Sequence, residues 1–263
     1  MSETANAPQL SGQMFLFNRP ELINKEQHGS LGVTQPSKRF DFCANVRAIP
    51  LTVSEIPQAM KDYPVVFASK EQMVPIAVVG LVDDVNLFVD EEGNWEHNRY
   101  VPGYVRRYPF GVASETGGDR MAVVVDRGYS GLQENGEIPL FENGEPSQMT
   151  EQAIEFCKNY EQDRHRTNEF AKLISEMDIV KGQSAQFTPN GESEPKTFAE
   201  YFGIEEQAIK DLSDEKFLQA RQSGVLPIVY AMLMSMGNWR PLMQRRAIRY
   251  NMSDKDVLNP VLN

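Results

Sequence analysis

Pro75–Val89, which reads PIAVVGLVDDVNLFV, decides the fold class. Its two apolar runs, Pro75–Val82 and Asn86–Val89, are short, rich in β-branched and aromatic side chains, and parted by Asp83-Asp84. Runs of this kind read as strands. The acidic pair, and the Asp90-Glu91-Glu92-Gly93-Asn94 cluster after the second run, supply what tight turns need. Carboxylates accept backbone hydrogen bonds there, and glycine or asparagine takes the left-handed position. Consecutive strands joined in this way form hairpins. The DEEGNWE stretch lacks the alternating oxygen ligands and closing glutamate of an EF-hand, so it reads as a turn and not as a calcium loop.

Working outward, Val46–Ile49, Val65–Phe67, Val112–Ser114 and Arg120–Val125 repeat the pattern, and residues 40–127 together predict a largely antiparallel, twisted sheet. SEIPQAM, Ser54–Met60, interrupts it as a short helical turn with Ser54 as the expected cap and Pro57 near its start. The ETGGDR stretch, Glu115–Arg120, reads as a hairpin turn, with an anion-binding nest of glycine N–H groups as the alternative. Upstream, residues 1–39 predict an irregular arm with one or two short strands around the apolar patches Met14–Phe17 and Leu31–Val33.

Downstream, apolar residues recur at helical spacing over Met149–Met177, with Thr150 as the expected cap and a polar middle, EQDRHRTN. The pattern fits one long helix or two with a break. His165 lies in that polar middle near Asp163 and Glu169 and reads as part of a solvated face. Strands are expected at Ala185–Pro189 and Lys196–Phe202, then a helix in DLSDEKFLQARQSG stopped by Gly224, then a buried helix at Val225–Met236. A sheet exposes an apolar face that helices must cover. The expected fold is therefore α+β, a twisted, largely antiparallel sheet covered by C-terminal helices, with residues 1–39 as an arm and 40–263 as one compact domain.

The chain has 263 residues, 41% of them apolar, enough for a continuous core. Its net charge of -11 argues against a general nucleic-acid surface, which needs a basic excess. Cys43 and Cys157 belong to no CxxC or zinc-like series and read as buried thiols. The first twenty residues lack the basic start and continuous apolar core of a secretory signal, and no later run approaches the roughly 18 to 20 apolar residues of a membrane span. A cytoplasmic location without membrane insertion is expected. Three dispersed histidines, His28, His97 and His165, and the absence of GxSxG, HExxH, GxGxxG and P-loop signatures predict no metal centre, no cofactor and no familiar catalytic set.

Two features point instead to recognition. Asn98–Phe110, NRYVPGYVRRYPF, packs four aromatics and three arginines beside two prolines. Near the other end, Arg240, Arg245, Arg246 and Arg249 follow one another with no acidic residue between them, as an internal charge match or a docking patch. Tyrosine and arginine combine apolar area with directional hydrogen bonds, which makes them good interface anchors. The expected binding residues are Tyr100, Tyr104, Arg106, Arg107, Tyr108, Arg240, Arg245 and Arg246. The same aromatics could equally lock layers of a core together. If the tract is extended, Arg106 and Arg107 point to opposite faces, one inward and one outward. A catalytic alternative would use Arg106 or Arg107 to clamp an anionic substrate, Tyr104 or Tyr108 to orient it, and Asp90 or Asp126 to accept a proton.

The phrases IPLTVSEIPQAMKDYPVVF (Ile49–Phe67), IAVVGL, NLFVDEEGNW, YVPGYVRRYPF (Tyr100–Phe110), PLFENGEPS, FCKNY and LSDEKFLQARQSGVLPIVYAMLMSMGNW, in that order, resemble the bacterial SapC family over about Phe40–Arg246. The family is named for a protein associated with a surface layer, and its members are often encoded near tryptophan-halogenase-like proteins and outer-membrane receptors. The resemblance supplies no catalytic residues to carry over. It is compatible with an accessory or adaptor role, and the aromatic tract and the arginine run, without a recognisable reactive set, make the expected protein a non-catalytic accessory or assembly protein that binds a protein or peptide, a halogenase-like enzyme being one such partner and a second copy of the chain another. An enzyme acting on a small molecule or modified peptide, and a surface-layer structural subunit, are the alternatives.

Overall fold

The computed structural model describes residues 14–114 and 121–259. The Glu115–Arg120 turn lies outside the described residues. The fold is α+β with every strand pairing antiparallel, and helices follow in the C-terminal part of the chain. By contacts the chain forms two compact units. One contains the described residues up to Phe42 with Arg106–Glu161, and the other contains Cys43–Val105 with the described residues from Gln162 onward.

In the first unit, Met121–Asp126 pairs with both Pro20–Leu22 and Phe110–Ser114, and Leu31–Val33 pairs with both Leu132–Glu134 and Ile138–Pro139. The N-terminal arm thus contributes two short strands, while Met14–Phe17 closes as a turn in which Phe17 N–H donates to the Met14 carbonyl (3.1 Å). Gly32 and Gly136 approach so closely that a Cβ on either would lie within 2.6 Å of the other's carbonyl oxygen. Only glycine fits such a crossing. Leu31, Phe110, Val125, Leu132, Leu140 and Cys157 form the buried core. Cys157 comes from the helix Gln148–Met177, which is unbroken over 30 residues and gives this unit its residues through Glu161. Ser147 caps it in place of Thr150. The Ser147 hydroxyl accepts from Thr150 N–H (3.3 Å), and its carbonyl takes the first helical hydrogen bond, from Glu151 (2.9 Å).

The second unit is built on a five-stranded sheet in the order Val180–Phe187, Lys196–Ile204, Val65–Phe67, Pro75–Val78, Ala48–Pro50. The strand runs of residues 40–127 therefore do not share one sheet. Those up to Val78 join two strands from the C-terminal part of the chain, and Phe110–Ser114 and Met121–Asp126 belong to the first unit. Asn86–Val89 is not a strand, because Asn86 spends its side chain locally. Its amide donates to the Cys43 carbonyl (3.2 Å) and its oxygen accepts from Phe88 N–H (3.0 Å), leaving a single bridge between Val89 and Trp95. The helix Val225–Ser235 packs on this sheet, and Ser235 fastens it by accepting from Val65 N–H (2.9 Å) while donating to the Met232 carbonyl (2.6 Å). Gly224, at φ +73°, turns the chain from the helix Asp214–Gln222 into Val225–Ser235 as expected. Among the described residues no helix is long and apolar enough to cross a membrane.

Candidate binding site

The aromatic tract is not extended. Gly103–Arg106 is one helical turn, Val105 N–H donates to the Pro102 carbonyl (2.9 Å), Phe110 N–H donates to the Arg107 carbonyl (2.8 Å), and only Phe110 enters a strand. Pro102 and Pro109 lack the donors that a sheet ladder requires, so the tract folds as successive turns.

Two carboxylates, the buried Glu55 and the half-buried Asp62, hold its first half. Glu55 takes four donors: Thr52 N–H (2.8 Å) and hydroxyl (2.9 Å) on Oε2, and the Tyr100 hydroxyl (2.9 Å) and Gly103 N–H (2.5 Å) on Oε1. Thr52 and Glu55 form a capping box on the helical turns Val53–Glu55 and Ile56–Ala59. Ser54, the expected cap, instead gives its hydroxyl to Asp163. Asp62 accepts from Tyr100 N–H (2.8 Å) and Arg99 (3.0 Å), and the Tyr63 hydroxyl donates to the Tyr100 carbonyl. Burial, reinforced by the Asp62 charge, pushes the Tyr63 phenol well above its ordinary range. Tyr104 is buried.

The second half lies in the first unit. Tyr108 donates to Asp126 (2.9 Å) and stacks on Phe42 at 3.9 Å, with Phe17 and Tyr129 edge-on. The fully buried Asp126 carboxylate also accepts from the N–H groups of Asn18, Arg19 and Gly128. Arg107 is buried, 3.4 Å from Glu161 and 4.6 Å over the Tyr160 ring, whereas Arg106 is exposed, with its guanidinium 5.3 Å over Phe156. Burial pushes the Cys157 thiol up to about 11, with Arg107 and Glu161 acting in opposite directions, and Cys43 is also buried. Of the residues of the catalytic alternative, Arg106, Arg107, Tyr108 and Asp126 belong to the first unit, and Tyr104 and Asp90 to the second.

The two arginines therefore differ as expected, although a turn and not a strand separates them. Arg107→Ala is expected to cost about 3 kcal/mol, because it leaves the Glu161 charge buried without this partner. Arg106→Ala should stay within about 0.5 kcal/mol, as exposed substitutions do. Urea unfolding of the two variants measures the difference, and equal losses would contradict it.

The terminal arginines divide in the same manner. Arg246, in the helix Trp239–Arg249, is buried, 2.7 Å from Asp83, and donates to the Asn259 carbonyl (2.7 Å). Arg249 donates to the carbonyls of Asn86 (3.1 Å) and Val89 (2.8 Å). Arg245 grips Glu96 with two hydrogen bonds (2.8 and 2.9 Å) and lies 4.4 Å over the Phe88 ring. These bonds hold Glu96 below the usual carboxylate range against the opposing effect of partial burial, and Arg99, 2.9 Å away, assists. Arg240 is exposed and lines a groove of about 790 Å³ with Phe198, Tyr201 and Trp239.

The Glu96–Arg245 link also underlies an open groove of about 1090 Å³ in the second unit. Leu87, Trp95, Pro241 and Ile248 supply its apolar lining, and Ile248 is 81% exposed. Asp90, Glu91 and Glu92 stand along one side on a turn fixed by the Asp90 carboxylate, which accepts from Asn94 N–H (2.7 Å). Of the expected binding residues only Arg245 lines this groove. Tyr100 reaches it indirectly, through Asp62, Arg99 and Glu96. Glu96 and Ile248 carried no signal in the sequence, whereas Glu55 did, in the T-x-x-E spacing of Thr52–Glu55. Among the described residues no group of three or more histidine, cysteine, aspartate or glutamate side chains could hold a metal ion.

No curated protein and no solved structure matches the chain. The SapC family model matches residues 23–242, which include Tyr100–Phe110 with its anchoring partners Glu55, Asp62, Asp126 and Glu161. With that match extending over most of its length, the chain belongs to the SapC family.

Proposed function

We propose that the chain is a non-catalytic accessory protein that binds a protein or peptide segment in the groove between the Asp90–Asn94 turn and the helix Trp239–Arg249. The observation that carries this reading is the combination of a partly buried apolar lining that ends in the exposed Ile248 with a wall held by the Glu96–Arg245 pair. Small-molecule sites are usually concavities that surround most of their ligand. This groove is open along its length and suits an extended or helical segment better. A rigid receiving surface also lowers the ordering cost of association. The reading places the encounter in the cytoplasm and, through the family resemblance, takes a halogenase-like enzyme as the first partner to try.

The test is a titration of the full chain with such an enzyme, followed by crosslink mapping. Crosslinks are expected at residues 90–96 and 241–249, and Ile248→Asp is expected to weaken binding at least about tenfold, the loss of roughly one buried anchor. Reproducible binding that ignores Ile248→Asp and crosslinks elsewhere would overturn the assignment of the groove. Absence of any crosslinked protein partner from native extract would overturn the binding role itself.

A further inference from the structure

From Gln222 to Trp239 the chain carries no charged residue, yet the helix within that stretch is not fully covered. Val225–Ser235 buries Val225, Val229 and Met232 and leaves Tyr230 42% and Met234 69% exposed. The helix before it, Asp214–Gln222, packs against it and buries Ala220, while Phe217 and Leu218 remain 42% and 44% exposed. A helix apolar on every side is normally covered, and grouped exposed apolar side chains mark contact surfaces.

The charges on Asp214–Gln222 indicate what does the covering. Asp214 and Glu215 open the helix and Arg221 closes it, with Phe217 and Leu218 between them. The helix's fourth charge, Lys216, donates to the Glu176 carbonyl (2.9 Å), and Asp214, Glu215 and Arg221 make no ion pair among the described residues. Asp214 and Arg221 stand about 10 Å apart along the axis at 1.5 Å per residue. A two-fold axis through the Phe217–Leu218 contact would lay two such helices antiparallel, so that each Arg221 meets the acidic start of the other. An isologous contact needs this self-complementarity, with both signs present on one patch and exchanged by the axis. A membrane surface does not fit, because a chain of net charge -11 is repelled by anionic headgroups.

We propose that Phe217, Leu218, Tyr230 and Met234 form the centre of a two-fold dimer interface between two copies of this chain, with its register set by Asp214 and Glu215 of each copy against Arg221 of the other. The interface uses none of the residues that line the Ile248 groove, so it stands independently of the partner reading above.

Sedimentation velocity of the full chain over a wide concentration range is expected to show a reversible dimer and nothing larger. Leu218→Glu and Met234→Glu should each weaken it at least about tenfold, and at concentrations where the parent is monomeric neither should change the thermal midpoint, since neither side chain is buried. Arg221→Glu makes the helix acidic at both ends, and Asp214→Lys with Glu215→Lys makes it basic at both ends. Each of these variants alone should lose the dimer, and an equimolar mixture should recover it as a heterodimer. Ile248→Asp should leave it intact. A monomer at every concentration, a dimer indifferent to both Leu218→Glu and Met234→Glu, or charge variants that fail to pair when mixed would each overturn the proposal.

Discussion

Residues 1–145 and 146–263, expressed separately, are each expected to lack a cooperative unfolding transition. The cut severs both units, because each is assembled from segments on either side of it. In the second unit it parts Val65–Phe67 from Lys196–Ile204 and removes the helix Val225–Ser235, uncovering Val65, Val66 and Phe67, all of them buried. In the first it takes Cys157 out of a six-residue core. The three strands of the second unit left in the shorter sheet have three or four residues each, too short to stand without a covering layer. Circular dichroism through a thermal ramp measures this, and a sigmoidal transition in both fragments would show that the crossing contacts are dispensable.

Glu55→Ala is expected to destabilise the full chain by about 4 kcal/mol or more. Four donors converge on this buried carboxylate, and two of them, the N–H groups of Thr52 and Gly103, belong to backbone that has no other acceptor among the described residues once the oxygens are gone. Hydrogen bonds to charged groups contribute about 1.5–3 kcal/mol each, and a buried orphaned donor costs about 1–3 kcal/mol. Against a typical total stability of about 5–15 kcal/mol, the variant would be barely folded. Glu55→Gln should lose about half as much, since its amide oxygen still accepts while its NH₂ meets donors. Urea denaturation of both variants checks the values, and a loss for Glu55→Ala below about 1 kcal/mol would mean that water replaces the carboxylate.

Local chemistry was legible in the sequence where nothing distant competed with it. Val65–Phe67 is a strand at the expected residues, the long helix runs from Gln148 where Met149 was expected, and Gly224 adopts the left-handed turn. Reading failed where one residue had two local options. Ser54 and Thr52 could both cap the same turn, and Asp163, distant in sequence, drew Ser54 away. Asn86–Val89 has strand propensity, but the Cys43 carbonyl offered Asn86 a better bond than a ladder would. Sheet membership was hidden for the same reason, since Phe67 is paired with Phe202 and nothing near Phe67 announces it.

The candidate site was legible in its arginines and opaque in their partners. The Arg240–Arg249 run marked a charge that had to be matched, but whether inside the fold or outside it depended on Asp83, Glu96 and two backbone carbonyls, all far away in the chain. The aromatic tract, which fitted a surface or a core equally, turned inward because Tyr100, Arg107 and Tyr108 found carboxylates: Glu55 and Asp62, Glu161, and Asp126. An exposed Ile248 has no sequence signature, because an apolar residue at helical spacing reads as core.

The pairing of Val65–Phe67 with Lys196–Ile204 also orders events at the ribosome. The chain emerges from its N-terminus, so Val65–Phe67 and Pro75–Val78 are complete long before the strand that closes their open edge has been translated. At about 5–20 residues per second that delay is on the order of 10 s. Through that interval a strand of Val-Val-Phe keeps one row of backbone donors and acceptors unpaired, and its shielding falls to whatever nascent-chain binding factor the cell provides.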